Sequence, residues 1–200
     1  MTTLILVRHG ETDWNRERRI QGSTDIPLND AGRAQARETA EALHASLGDE
    51  VPTVVASDLS RARETAEIIA AGLGTRVARL YPGLRERSYG EAEGVDAAEF
   101  SARWGDWHGA EVPGAEPWSD LRRRGIRTIR HVVRDARRGS APASTTVVAV
   151  THGAFIREVI RHATSGELPL AGERLDNGST FSFLIERERL RLLTYAGVAL

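Results

Sequence analysis

The sequence predicts an α/β fold: a three-layer α/β/α sandwich with a mostly parallel sheet flanked by helices and a small lid insertion. Three observations predict it. Short apolar runs at residues 4–7, 53–56, 76–80 and 145–150 have the length and β-branched content of buried strands. Segments with helical periodicity separate them, which is the order of parallel strands joined by crossover helices. Charged or imidazole side chains follow directly on these runs, at the strand ends where such sheets bind ligands.

The first run, Leu4-Ile5-Leu6-Val7, gives way at once to Arg8-His9-Gly10. A neutral imidazole is a nucleophile that needs no deprotonation by a partner. The guanidinium beside it is a planar fork matched to phosphate oxygens. Gly10 permits a sharp turn or a close backbone approach. Residues 11–29 read as a polar loop, long enough in a compact domain to be functional. Asn29 or Asp30 caps the next helix, whose apolar stripe is Ala36, Ala40, Leu43 and Leu47, with Gly48 as its stop.

After the second run, Ser57 or Asp58 is the expected N-cap of a helix reaching toward Ala71. Arg61 falls in its first turn and Arg63 on its surface. The third run leads to Glu86. Residues 95–118 are the least regular part: Phe100, Trp104 and Trp107 or His108 recur at helical spacing. The tryptophans there are read first as a satellite hydrophobic cluster, and second as an aromatic lid wall facing a leaving group. From Trp118 to Arg138 a long helix buries Leu121, Gly125, Ile129 and Val132 or Val133 and is otherwise rich in arginine. Residues 143–144 are read as linker. The fourth run ends in Thr151-His152-Gly153 and a helix, and residues 180–185 and 190–195 form a terminal hairpin.

Composition bounds the function. Two hundred residues suit one domain, 1–200, with a small insertion at about 91–118. A formal net charge of -1 gives no pull toward nucleic acid or an anionic membrane, so neither is expected as a partner. There is no cysteine, and all 27 basic residues are arginine. No apolar run has membrane-spanning length and no leader segment is read at the start, so a cytoplasmic enzyme is expected.

Arg8-His9-Gly10-Glu11-Thr12 followed by Trp14-Asn15 resembles the signature of the histidine phosphatase superfamily, in its phosphoglycerate-mutase-like branch. Arg19-x-Gln21-Gly22, Asp25-x-Pro27-Leu28, the Ser57–Ala66 segment, the Leu-x-Glu at Glu86, His152-Gly153 and Leu175-x-Asn177-Gly178-Ser179 also resemble that family, over nearly the whole chain. Phosphatases of the family often carry Trp before the second Glu-Gly, where this chain has Ala92-Glu93-Gly94. The resemblance implies catalytic His9, Glu86, Arg8, Arg61 and His152. It implies phosphate contacts from Arg8, Asn15, Gln21, Gly22, Arg61, Glu86, His152 and Gly153, with no metal and no cofactor.

Independently of the family, Arg8 and His9, Arg61, Glu86 and His152 each follow a different predicted strand, so a parallel sheet brings them to one edge. Chemistry follows from that convergence. His9 attacks phosphorus, the arginines and His152 neutralise equatorial oxygens, and the first turn of the helix after His152 adds amides. A backbone carbonyl is expected on Nδ1–H. Glu86 protonates the leaving alkoxide and then deprotonates water.

The expected function is therefore a metal-independent phosphomonoester hydrolase, working through a phosphohistidine on a small phosphorylated metabolite, as a monomer or homodimer. The alternative is a cofactor-dependent phosphoglycerate mutase, which Glu86-Arg87-x-Tyr89-Gly90 resembles. Between Ser88 and Pro117, however, the only cation is Arg103, too little for a clamp that excludes water. An inactive phosphopeptide-binding module has no use for the proton donor Glu86. A metal shared by His9, His152 and Glu86 is disfavoured by two arginines in the same pocket.

Overall fold

The computed structural model describes residues 1–107, 109–140, 145–186 and 189–200. His108 and the linker read at residues 143–144 lie outside them. Strand β1 (Thr2–Arg8) leads to a short helix α1 (Asp13–Arg16) and then α2 (Asp30–Leu47). Strand β2 (Thr53–Ala56), helix α3 (Ser60–Gly72) and strand β3 (Val77–Leu80) follow. Two 3₁₀ turns, Pro82–Leu84 and Gly90–Ala92, precede α4 (Ala97–Trp104) and the long α5 (Trp118–Ser140). The chain closes with β4 (Thr145–Thr151), α6 (Gly153–Ala163), β5 (Thr180–Glu186), β6 (Arg189–Tyr195) and β7 (Val198–Ala199).

The strands form one sheet in the order β3-β2-β4-β1-β5-β6-β7. The first four are parallel neighbours and the last three are added antiparallel, so the hairpin read at the C-terminus extends the sheet. The apolar run of β1 is buried on both faces, and alternation divides it. Leu4 and Leu6 join the cluster under α5 and α6, with Ile129, Phe155 and Ile160. Ile5 and Val7 join the cluster under α2 and α3, with Leu43, Ala66 and Ile69. These are the three layers that the sequence predicts. Truncating a residue such as Leu4 to Ala removes about 2–5 kcal/mol of stability.

The arginines of α5 face outward, but several are bound. Arg122 meets the buried Glu158 at 2.7 Å, Arg124 meets Glu116 at 2.8 Å, and Arg137 Nε donates to Thr2 Oγ1 at 2.8 Å. Acidic counter-charges to this helix are thus present on α6 and on the loop before α5.

Three local readings change. Residues 11–29 are not all loop: Thr12 and Asn15 form a reciprocal capping box that winds α1. Neither Ser57 nor Asp58 caps α3, which starts at Ser60 after Leu59. The capping carboxylate comes instead from a distant loop, where Asp25 Oδ1 accepts from both Ser60 N and Ser60 Oγ at 2.7 Å. Asp58 is engaged by Arg85 at 2.6 Å. Finally, α4 stops at Trp104 because Gly105 takes a positive φ of 77°, so Trp107 is not on the helix.

Candidate active site

The site grows from two neighbouring strand ends. Arg8 pairs in register with Thr151, and His9 N donates to Thr151 O at 3.0 Å. His9 and His152 therefore leave the sheet side by side, with ring centroids 5.2 Å apart and planes inclined at 60°. Gly10 follows at a point where a Cβ would overlap the carbonyl of Gly32 in α2, so a side chain is excluded. Its amide donates to Thr65 Oγ1 of α3 at 3.1 Å.

His9 Nδ1 lies 2.7 Å from the Gly10 carbonyl, so this nitrogen carries the proton and Nε2 keeps its lone pair. Asn177 Nδ2 donates to His9 O at 2.9 Å and fixes the backbone behind the ring. Burial, then the charges of Arg61 and Arg8, push His9 well below the usual imidazole range, against a smaller opposing effect of the Gly10 carbonyl. Burial, with Arg61, His9 and Arg8 beside it, does the same to His152. Both rings are neutral at pH 7.

The cations are held by backbone oxygens. Arg8 donates to Leu175 O from Nη1. Arg61, fully buried, donates to Thr24 O at 2.8 Å and to Gly22 O at 2.7 Å. Burial lowers Arg61 to about 10, which leaves it protonated at neutral pH. What these groups lack is informative. Arg8 Nε, Arg61 Nε and both ring nitrogens of His152 are buried without a hydrogen-bond partner. Buried polar groups are seldom left so, and the two guanidinium N–H groups with the single N–H of a neutral His152 are donors an anion would satisfy. Gln21 Oε1 is unpartnered as well, and turning that amide over would present its NH₂ instead.

Glu86 enters from the loop after β3. Its carboxylate accepts from Ala154 N at 3.0 Å, Phe155 N at 3.1 Å and Arg87 N at 3.0 Å. The acceptor at the N-terminus of α6 is thus the carboxyl group of Glu86, which corrects the expectation that those amides face a phosphate. Arg87, part of the mutase-like letters, turns away. Its guanidinium stacks 4.3 Å from the Trp118 ring and 4.7 Å from that of Tyr89.

Arg8, His9, Asn15, Gln21, Gly22, Arg61 and Glu86 line one cavity of about 130 Å³, together with Arg19, Tyr89 and Trp107. His152 stands beside His9 but is not in the cavity wall, and Gly153 packs behind the Arg8 guanidinium. Sequence reasoning passed over Glu93. Its carboxylate accepts from Ser23 N and Thr24 N at 2.9 Å, from both hydroxyls, and from Tyr89 N at 3.0 Å. Burial works to raise this carboxyl, but those donors outweigh it and hold it below the usual carboxylate range. Gly22, at a φ of +59°, leaves room for it, because a Cβ there would overlap the Glu93 carboxylate. The available signal was the Glu-Gly pair, read only for its missing Trp. Trp107 belongs to both earlier readings: it stacks on Phe100, centroids 4.7 Å apart, and also lines the cavity.

A family model described as "Histidine phosphatase superfamily (branch 1)" matches residues 4–197. An uncharacterized phosphatase of Bacillus subtilis is 35% identical over 195 residues, covering 98% of this chain and 94% of its own. A 2,3-bisphosphoglycerate-dependent phosphoglycerate mutase of Gloeobacter violaceus is 32% identical, covering 80% of this chain and 74% of its own. A phosphoserine phosphatase variant from Entamoeba histolytica, solved in complex with phosphoserine, superposes with a TM-score of 0.76 at 26% identity, covering 98% of this chain and 97% of that one.

Proposed function

The chain belongs to the histidine phosphatase superfamily, and from that premise we propose that it is a metal-independent phosphomonoester hydrolase that forms a phosphohistidine at His9. The observation that carries this reading is a neutral imidazole, its Nδ1–H on a carbonyl, beside buried and unpartnered Arg8 Nε, Arg61 Nε and His152 nitrogens. A phosphoryl dianion satisfies the guanidinium N–H groups and the one N–H of His152. His9 Nε2 attacks phosphorus, the P–O ester bond breaks, and the departing oxygen takes a proton from Glu86. Glu86 then removes a proton from water as it displaces phosphate from His9. Charge on the equatorial oxygens meets two guanidinium groups already in place, the role a metal ion fills elsewhere.

The relatives' names support small phosphorylated substrates, phosphoserine among them. Hydrolysis is favoured over mutase chemistry because Arg87, the cation in the mutase-like letters, does not line the cavity and is stacked on the rings of Trp118 and Tyr89. A chemical quench with an ester labelled at phosphorus tests the reading. An acid-labile, alkali-stable label on the protein is expected, absent in His9→Ala, with turnover lowered at least about 10⁴-fold. Full activity in chelator and inhibition by vanadate are expected alongside. An unlabelled enzyme, or activity lost in chelator and restored by Mg²⁺, overturns it.

A further inference from the structure

The cavity at His9 opens toward a second, larger pocket of about 540 Å³, and the two share Tyr89 and Trp107. Glu86 stands at the junction. It lines the small cavity, and its carboxylate takes the amide of Ala154, a residue of the large one. An ester whose phosphoryl group lies at His9, with its bridging oxygen at Glu86, must extend its alcohol part into the larger pocket.

One wall of that pocket is aromatic: Tyr89, Trp107 and Trp118. Arg157 and Arg174 line the same pocket, and Arg157 also donates from Nη2 to the backbone carbonyl of Glu173 there. Among the described residues neither of these has a carboxylate within ion-pair distance, whereas Arg122 in the same pocket is neutralised by Glu158 at 2.7 Å. Two guanidinium forks without an ion-pair partner, in one pocket with indole and phenol rings, form a slot for a flat body that ends in an anion. We propose that the preferred leaving group has a planar apolar body and a second anionic group at its far end, held between the aromatic wall and Arg157 with Arg174. This rests on the phosphatase reading and names the substrate class for it.

The test compares methyl phosphate, benzyl phosphate, 4-carboxybenzyl phosphate and 4-aminomethylbenzyl phosphate with the full chain. The benzyl compounds carry alcohols of similar acidity, so their differences report the slot. The kcat/KM for benzyl phosphate is expected to exceed that for methyl phosphate by about tenfold or more, and the carboxylate to add about tenfold again. The aminomethyl compound falls below benzyl phosphate. Arg174→Gln shrinks the ratio of carboxybenzyl to benzyl about tenfold, and Trp107→Ala shrinks that of benzyl to methyl. Ratios taken within one protein do not depend on how much of it is folded. Similar, His9-dependent turnover of all four esters overturns the slot and leaves the phosphatase reading standing. No His9-dependent turnover of any ester overturns both.

Discussion

Glu86 does two jobs with one carboxylate. It accepts three backbone amides, two of them from the first turn of α6, and in the proposed reaction it also handles the proton of the leaving group. Glu86→Gln separates the jobs. Gln keeps the shape and one acceptor oxygen but cannot act as an acid, so turnover of an alkyl phosphate is expected to fall about 10²–10⁴-fold. p-Nitrophenyl phosphate, whose phenolate departs without a proton, is expected to lose much less. Steady-state rates on the two esters check this, and equal losses would remove Glu86 as the proton donor. Residues of this kind were legible because each follows a strand, and a parallel sheet aligns strand ends. Glu93 was not. Its partners, Ser23 and Thr24, lie about 70 residues earlier, and no local pattern announces that a carboxylate will serve as their acceptor.

The loop 21–24 is an element without regular structure that is nevertheless held firmly. Glu93 takes its amides and hydroxyls from one side, while Arg61 takes the Gly22 and Thr24 carbonyls from the other. Arg61, the proposed phosphate ligand, is thus positioned by the loop it helps to hold. Glu93→Gln replaces a carboxylate that serves five donors by a neutral amide, one end of which repels N–H groups. Loss of about 1–3 kcal/mol is expected, with faster hydrogen exchange at the Ser23 and Thr24 amides and weaker phosphate binding. Calorimetry and exchange mass spectrometry check it, and unchanged exchange at those two amides would leave Glu93 as a bystander. Helix positions were readable from their apolar stripes, because burial of one face is a local property. The start of α3 was not, since its cap, Asp25, is supplied by this same stretch of loop and not by the residues preceding the helix.

At the scale of the molecule, two buried imidazoles link stability to pH. Both His9 and His152 have folded-state pKa values pushed below the unfolded value of about 6.5. Between those values the unfolded chain takes up protons that the folded chain refuses. Stability contributed by the neutral rings is therefore complete above about pH 6.5 and drains away as the pH falls. Each ring gives a slope of about 1.4 kcal/mol per pH unit in that window. Denaturant unfolding between pH 7 and 5.5 is expected to show it, and His9→Ala to remove one ring's share of the slope. A slope identical in the variant would contradict a buried neutral His9. The α/β class and the two-sided burial of β1 and β4 followed from composition and strand length. The insertion of β4 between β2 and β1 did not, because strand order is decided by long-range pairing that no single segment encodes.

That strand order bears on biosynthesis. His9 precedes the strand that seats it and delivers His152, Thr145–Thr151, by more than a hundred residues. A nascent polypeptide that has passed His9 but not Thr145 therefore displays the imidazole without the cage that, in the proposed reaction, lets it capture a phosphoryl group. On the proposed reading chemistry waits for that strand to join the sheet, so that catalytic competence reports an assembled sheet and not an early fragment.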